Sequence, residues 1–163
     1  MLPEFKDIEK AARRIEGFAV RTPVLESPKL NTLTGGRILI KAECLQRTGS
    51  FKVRGAYVRI ARLTDEERAR GVVAASAGNH AQGVALAAAR RGIRAVICMP
   101  LTTPAIKVEA VQARGGEVVL HGDDYDSAYT HALQLAAEQG LTFVHPFDDP
   151  EVIAGQGTIA MEL

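Results

Sequence analysis

The stretch Val72-Val73-Ala74-Ala75-Ser76-Ala77-Gly78-Asn79-His80 decides the fold, because a short apolar run passes directly into a polar loop. The run from Val72 to Ala75 predicts a buried strand, and an alanine-rich helix is predicted from about Ala81 to Arg91. Between them stand Ser, Gly and Asn, which favour turns and helix starts. A strand that leads into a helix is the repeating unit of parallel α/β sheets.

The same alternation of strands and helices continues on both sides of this stretch. Toward the C-terminus the pattern predicts strands at 95–99, 117–120 and 141–144, and helices at 104–114 and 123–139. Toward the N-terminus it predicts helices at 5–15 and 51–63 and a strand at 37–43. Continuous apolar strands indicate a parallel sheet that helices cover on both faces, a three-layer α/β architecture. Ligands of such sheets bind beyond the carboxyl ends of the strands.

The last residues carry a glycine-rich segment, Gly155-Gln156-Gly157-Thr158, which is predicted to open a short helix. An anion-binding loop is an alternative for this segment, but the signal is weak because Ala160 stands where a GxGxxG motif needs its last glycine. Asp148-Asp149 before it predicts a turn. The helical pattern continues for barely two turns without a C-cap signal, so the chain is expected to be the front part of a longer protein.

Composition excludes several classes of protein. The 163 residues are 47% hydrophobic and 24% charged with a net charge of +1, so no basic surface for nucleic acid or an anionic membrane is expected. No apolar run reaches membrane length, and the N-terminus lacks a signal-peptide pattern. The two cysteines suggest no disulfide scaffold, which favours a cytoplasmic location. The four histidines lack metal-ligand spacing, so no metal site is predicted.

A lysine at a helix start is the first candidate for chemistry. Lys52 lies between Phe51 and Val53 in the stretch 48–56, just inside the predicted helix. The positive end of the helix dipole disfavours a cation there, and partial burial lowers the pKa of a lysine further. A lysine held as a neutral amine is a nucleophile. The alternative is a surface lysine whose ammonium group reaches water along an exposed helix face.

The loop that follows the strand at 72–75 is the second candidate. Free backbone N–H groups at a helix start suit a carboxylate or phosphate, and Ser76 adds a hydroxyl donor. Gly78 lets the backbone approach a ligand closely, and Asn79 offers an amide to a phenolic oxygen. The alternative is an ordinary helix cap, worth about 1 kcal/mol. His80 is expected to be a helix-start residue without a nucleophile to activate.

Two motifs at this separation, 50–56 and 76–85, together resemble the threonine dehydratase (threonine ammonia-lyase) family. That family belongs to the fold-type-II, tryptophan-synthase-β-like enzymes that use pyridoxal phosphate. The match continues through Met99-Pro100, Ile106-Lys107, Gly115-Gly116-Glu117-Val118, His121-Gly122 and Val152-Ile153-Ala154-Gly155-Gln156-Gly157-Thr158, which favours threonine dehydratase over cysteine synthase. The resemblance covers nearly the whole chain.

The resemblance implies a role for each motif residue. Lys52 would form the covalent imine with pyridoxal phosphate, Phe51 would pack near the cofactor ring, and Asn79 would hydrogen-bond the ring 3-hydroxyl. The substrate carboxylate would be received by the loop residues Ser76, Ala77, Gly78, Asn79 and His80. The freed lysine would remove the Cα proton while the cofactor serves as electron sink.

The implied reaction converts L-threonine, and L-serine, to 2-oxobutanoate or pyruvate and ammonia. The resemblance places such an enzyme in isoleucine biosynthesis, with a small amino acid as substrate and a homo-oligomeric full-length protein. It also implies three parts of the chain. These are the first part of a large domain (1–50), a small α/β domain (51–148) and the start of the return to the large domain (149–163).

Two departures from the family pattern keep alternatives open. Racemases of this superfamily carry a second Ser where this chain has Ala77, so elimination is favoured over racemisation. The family's phosphate-binding loop and the Ser or Cys for the pyridine nitrogen come later than residue 163. The alternatives are therefore a catalytically silent fragment, a serine racemase or other fold-type-II lyase, and a nucleotide-binding module without pyridoxal phosphate. The missing GxGxxG argues against the last.

Overall fold

The computed structural model describes residues 2–163, within which the chain forms six strands and eight α-helices. The strands are β1 (Val24–Glu26), β2 (Leu39–Lys41), β3 (Val72–Ala75), β4 (Ala95–Met99), β5 (Glu117–Leu120) and β6 (Thr142–Phe143). The helices are α1 (Phe5–Ile15), α2 (Pro28–Thr34), α3 (Lys52–Ala61), α4 (Asp65–Arg70), α5 (Asn79–Ala89), α6 (Ala105–Gln112), α7 (Tyr125–Gln139) and α8 (Pro150–Gly157). One 3₁₀ turn lies between β2 and α3 (Glu43–Leu45), and another lies after α8 (Ala160–Glu162).

The four later strands form one parallel sheet in the order β5-β4-β3-β6. The central strands β3 and β4 are wholly buried, and Val72 pairs with Ala95 at the start of their ladder. Strands buried on both faces are expected to read as continuous apolar runs, which is how these two read in the sequence. The parallel α/β fold predicted from the sequence is therefore confirmed.

Helices cover both faces of this sheet. On one face α3, α5 and α6 enclose a core that includes Ile60, Val84 and Ile97. On the other face α7 packs against Val73 and Val96. The first two strands, β1 and β2, form a separate two-stranded antiparallel sheet, with α2 between them in sequence, and their apolar side chains are largely exposed. This arrangement places the carboxyl ends of the parallel strands, and the loops that follow them, at one edge of the sheet.

The glycine-rich segment at 155–158 does not open a helix, so that prediction is wrong. Gly155, Gln156 and Gly157 are the last residues of α8, which begins at Pro150. The helix begins there because the Asp149 carboxylate accepts the amides of Glu151 and Val152, at 2.8 and 3.2 Å. The turn predicted at Asp148-Asp149 is thus the N-cap of α8.

Two smaller differences concern helix starts. The charged segment Asp65–Arg70, for which the apolar periodicity predicts no element, forms the short helix α4. Its N-terminus is held by a capping box, in which Thr64 and Glu67 exchange side-chain to backbone hydrogen bonds. Helix α5 begins at Asn79 rather than at Ala81, so most of the polar loop belongs to the first turn of a helix.

Other expectations concern cysteines and membranes. Cys98 is buried in β4 and Cys44 is exposed, and both are free thiols. Burial raises the pKa of the Cys98 thiol to about 11, as expected for a core residue. None of the helices between residues 2 and 163 has the length and apolar character needed to cross a bilayer.

Candidate active site

Lys52 is the first residue of α3, as the sequence predicts. A turn at residues 46–49 leads into the helix, with Gly49 in the left-handed conformation (φ 70°), and the Ser50 hydroxyl accepts the Lys52 amide at 3.3 Å. The Lys52 ammonium group Nζ donates to the Pro146 carbonyl at 2.8 Å and lies 5.5 Å from the centre of the Phe51 ring. Partial burial lowers the pKa of Lys52 below its ordinary value, which makes the neutral amine more accessible.

The loop after β3 is the second part of the site. Ser76 continues the strand ladder through its amide to the Cys98 carbonyl at 3.1 Å, and its hydroxyl accepts the Gly78 amide at 3.2 Å. The backbone N–H groups of Asn79 and His80, in the first turn of α5, find no acceptor among residues 2–163. Both N–H groups stand at the positive end of the helix dipole, so an anion is favoured there.

The loop at 76–80 has open space beside its backbone for a ligand. A β-carbon built at Gly78 would meet no atom within 4 Å, so the backbone there is open on that side. The Asn79 side chain is exposed, while Ser76 and Ala77 are half-buried. These features leave the predicted ligand-binding atoms of the loop accessible.

His80 lies beneath the loop rather than in it. Its side chain is only 3% exposed, and Nε2 donates to the Val144 carbonyl at 3.0 Å, because a carbonyl oxygen can only accept. The other ring nitrogen, Nδ1, is buried without a partner within the described residues. Burial, together with the nearby charge of Lys52, lowers the pKa of His80 to about 4, so the ring is neutral at physiological pH.

A glycine contact brings the two parts of the site together. A β-carbon built at Gly83 in α5 would lie 3.2 Å from the Cα and the amide nitrogen of Val53 and 3.3 Å from the carbonyl carbon of Lys52. The first turn of α3 therefore packs directly on the first turns of α5. Lys52 and the loop at 76–80 stand on adjacent helix starts as a result.

A second glycine contact supports α3 from another side. Gly55 in α3 faces Gly155 in α8, and the Gly55 amide donates to the Gln156 side-chain oxygen at 3.2 Å. The two contacts hold α3 between α5 and α8 without intervening side chains. The position of Lys52 therefore depends on three helices that are distant in sequence.

Sequence reasoning missed two participants. The segment Val144-His145-Pro146 supplies carbonyl acceptors to both His80 and Lys52. This segment could have been found from the sequence, because it comes directly after a strand of the parallel sheet, where ligand-binding loops lie. The other is Arg54, which is fully buried next to the carboxylates of Glu43 and Glu162. Its partners are too far away in sequence to be read from a pattern.

Together these groups form a donor set of defined chemistry. Lys52 offers an amine with a lowered pKa beside an aromatic ring, and the α5 start offers free N–H groups and a hydroxyl. Such a set fits an anionic ligand whose carbonyl group reacts with an amine. In the part of the chain that the structure describes, no group of three or more His, Cys, Asp or Glu side chains is arranged to hold a metal ion.

Comparison with known proteins agrees with this chemistry. The family described as "Pyridoxal-phosphate dependent enzyme" matches residues 15–163. The chain is 53% identical over 158 residues to the L-threonine ammonia-lyase of Thermotoga maritima, covering 97% of this chain and 39% of that protein. It therefore spans well under half the length of that relative.

Solved structures show the same similarity in three dimensions. The processed form of threonine deaminase isoform 2 from Solanum lycopersicum superposes with a TM-score of 0.89 at 46% identity, covering 99% of this chain and 46% of that chain. Maize serine racemase superposes with a TM-score of 0.95 at 38% identity, covering 99% and 49% respectively. The backbone thus resembles both a deaminase and a racemase.

Proposed function

The chain belongs to the pyridoxal-phosphate dependent enzyme family, and we propose that it carries the reacting lysine and the carboxylate-binding loop of a threonine ammonia-lyase. This membership confirms the resemblance predicted from the two motifs. The observation that carries the proposal is the packing of the α3 start, which carries Lys52, on the first turns of α5, which carry the free N–H groups of Asn79 and His80. The proposed reaction turns L-threonine into 2-oxobutanoate and ammonia, and L-serine into pyruvate and ammonia.

The residues present fit pyridoxal phosphate. Lys52 would hold the cofactor aldehyde, Phe51 would lie near its ring, and the exposed Asn79 amide would reach the ring 3-hydroxyl. When bound, pyridoxal phosphate supplies an electron sink that stabilises negative charge at Cα of an amino acid. None of these three residues would hold the cofactor phosphate.

The remaining chemistry follows from this chain's own groups. We propose that the Ser76 hydroxyl and the N–H groups at residues 77–80 bind the substrate carboxylate, since charge-assisted hydrogen bonds at a helix start are strong. Once the amino group of the substrate has displaced Lys52 from the cofactor aldehyde, the neutral Lys52 Nζ would take the proton from Cα, and its lowered pKa keeps a larger share of the amine unprotonated. The electron pair left at Cα would then form the Cα–Cβ double bond, while the β-hydroxyl leaves and takes up a proton to become water. His80 stays neutral and adds no positive charge beside Lys52.

Racemisation is the second candidate, because the backbone superposes closely on maize serine racemase. The resemblance gives the opposite-face acid–base of racemases as a Ser at the position of Ala77. Alanine has no hydroxyl, so a proton could not be returned to the opposite face of Cα by this residue. We therefore favour elimination, and Ala77→Ser is expected to raise any racemase activity.

The cofactor assignment is tested by trapping on the 163-residue chain. Pyridoxal phosphate is added, borohydride fixes it to whichever lysine holds it, and peptide mapping locates the modified residue. We expect modification of Lys52 with visible absorbance before reduction, loss of both in Lys52→Arg, and retention in Lys107→Arg, a change at an exposed lysine. Equal absorbance in Lys52→Arg would contradict Lys52 as the anchor. No absorbance in the wild type would favour the silent-fragment alternative.

The reaction is tested separately in a chimera. Residues 1–163 are joined to the remaining part of the Thermotoga relative, and 2-oxobutanoate and ammonia are measured with L-threonine and L-serine as substrates. Turnover that disappears in Lys52→Arg is the expected result. D-serine as the main product would instead favour the racemase.

Other aspects stay proposals. The divisions at residues 50/51 and 148/149 remain a prediction of domain boundaries, and a homo-oligomer is proposed only for a full-length enzyme. The two free thiols support a reducing compartment such as the cytoplasm.

A further inference from the structure

Arg54 is the centre of a buried ion network on α3, two residues after Lys52. Its side chain is fully buried, and Nε and Nη2 donate to the two oxygens of Glu43 at 2.9 Å each. Nη1 and Nη2 also donate to the two oxygens of Glu162, at 2.6 and 3.0 Å. Lys41 Nζ, 2.5 Å from Glu162 Oε2, brings the four side chains to net neutrality.

Neutral groups complete the network. Arg54 donates to the Val20 carbonyl at 3.2 Å and to the Thr158 hydroxyl at 3.3 Å, and the Thr22 hydroxyl donates to Glu43 at 2.6 Å. Burial by itself lowers the pKa of Arg54, but the hydrogen bonds to Glu43 and Glu162 outweigh burial and raise it. The guanidinium is thus a permanent cation that joins α3 to three segments distant in sequence.

Stability alone does not account for such a network. Because removing charges from water is costly, buried ion pairs can often be replaced by apolar side chains without loss of stability. Their best-supported contribution is to select one arrangement of the packed elements. The elements that this network joins are α3 and the segments that carry Glu43 and Glu162.

The glycine contacts on α3 constrain its rotation and register less than do its interlocking side chains, such as Val58 and Ile60, which pack into two cores. Gly55 against Gly155, and Gly83 against Val53, set how close the helices approach, but a glycine presents no side chain that interlocks with its neighbour. Such a contact resists sliding and rotation of the helix weakly. The bidentate pairs of Arg54 with two carboxylates have fixed planar geometry and resist both.

We propose that Arg54 is a positioning residue, which fixes the rotation and axial register of α3 and so places the Lys52 amine against the Pro146 carbonyl. Residues two apart on a helix project about 200° from one another, so Arg54 holds the rear of the helix whose front carries Lys52. This inference rests on the proposed function, because it requires Lys52 to be the reacting amine.

The test uses the 163-residue chain and two variants. Arg54→Lys keeps the charge but loses the planar fork, and Glu162→Gln keeps the shape but removes one carboxylate. The matched control is Arg59→Lys, which alters the ion pair of Arg59 Nε with Asp149 (3.0 Å) toward the other end of α3. Urea unfolding first establishes conditions under which each protein is folded.

The first readout does not depend on the cofactor. Acetic anhydride transfers an acetyl group to unprotonated Lys52 Nζ and releases acetate and a proton, and mass spectrometry follows this reaction against pH. In Arg54→Lys and Glu162→Gln the pH profile should move to higher pH, because a displaced Lys52 is more hydrated. Arg59→Lys should retain the wild-type profile.

The second readout is the fraction of Lys52 that borohydride fixes to pyridoxal phosphate. We expect this fraction to fall by about tenfold in the two network variants, since misplacing a reacting atom by about 1 Å costs up to about 100-fold. If pyridoxal phosphate does not attach to Lys52 in the 163-residue chain, the silent-fragment alternative is favoured and the chimera decides the proposed function, while the acetylation profile still decides the role of Arg54. Unchanged profiles and unchanged trapping in folded variants would overturn the inference. If Arg54→Lys does not fold, Glu162→Gln alone decides it.

Discussion

Gly55 of α3 and Gly155 of α8 are in direct backbone contact. A β-carbon built at Gly155 would lie 2.5 Å from the Gly55 Cα and 2.9 Å from the Arg54 carbonyl oxygen. Backbone atoms cannot turn aside as the end of a flexible side chain can. The helix that carries Lys52 therefore lies as close to α8 as it does because both positions lack a side chain.

Gly155→Ala should destabilise the folded chain. Alanine favours helix by up to about 1 kcal/mol over glycine, but overlap in a packed core costs about 1–3 kcal/mol and here involves backbone atoms. Urea unfolding should show a net loss. The control is Gly36→Ala, where a β-carbon meets nothing within 4 Å and the change should stay within about 0.5 kcal/mol. A Gly155→Ala protein as stable as wild type would contradict the contact.

Gly78→Ala should separate stability from ligand binding. Its φ is negative (−139°) and its β-carbon would meet no atom within 4 Å, so the unfolding free energy should change by no more than about 0.5 kcal/mol. The methyl group stands on the loop proposed to receive the substrate carboxylate. Losing one charge-assisted hydrogen bond there should raise the KM for threonine in the chimera by about tenfold. An unchanged KM would place the carboxylate elsewhere.

The buried strands were the most predictable part of the fold. β3 and β4 have the predicted bounds, because residues buried on both faces must form continuous apolar runs that glycine or proline interrupts. α8 was not predictable in the same way. Its glycines lower helix propensity and are explained only by the contact of Gly155 with Gly55, a residue 100 positions earlier.

In the candidate site too, the features set by local sequence were predictable, and those set by distant contacts were not. Lys52 and the loop at 76–80 could be located from local pattern, because a helix start and a strand end are local features. The acceptor for Lys52, the Pro146 carbonyl, depends on sheet topology, since β6 must first pair with β3. The partners of Arg54 depend on how the N-terminal segment and the end of the chain fold back over α3.

His80 should make stability depend on pH. Its pKa is about 4 in the folded chain against 6.5 when free, so the unfolded chain binds more protons between these values. The stabilisation is complete above about pH 6.5 and is lost as pH falls toward about 4, with about 2 kcal/mol lost between about pH 7 and about pH 5. His80→Gln, which can still donate to the Val144 carbonyl but does not titrate, should lose less over this interval. Urea unfolding at both pH values measures the difference, and an equal loss in both proteins would contradict a buried neutral His80.

Asp149 combines two contributions that substitution can separate. Its carboxylate caps α8 by accepting the amides of Glu151 and Val152, and it also accepts Arg59 Nε of α3 at 3.0 Å. Asp149→Asn keeps an oxygen for the cap and loses the ion pair, which should cost less than about 1 kcal/mol for a pair that water partly reaches. Asp149→Ala loses the cap as well and should cost about 1 kcal/mol more.

The two variants also test whether α8 supports α3. Because Gly155 at the end of α8 touches Gly55, fraying that begins at the N-terminus of α8 should loosen α3. Hydrogen exchange of the α3 amides should therefore accelerate in Asp149→Ala more than in Asp149→Asn. If Asp149→Ala is destabilised while exchange in α3 stays at the wild-type rate, α8 does not hold α3, and the placement of Lys52 depends on the ion network of Arg54 and on α5.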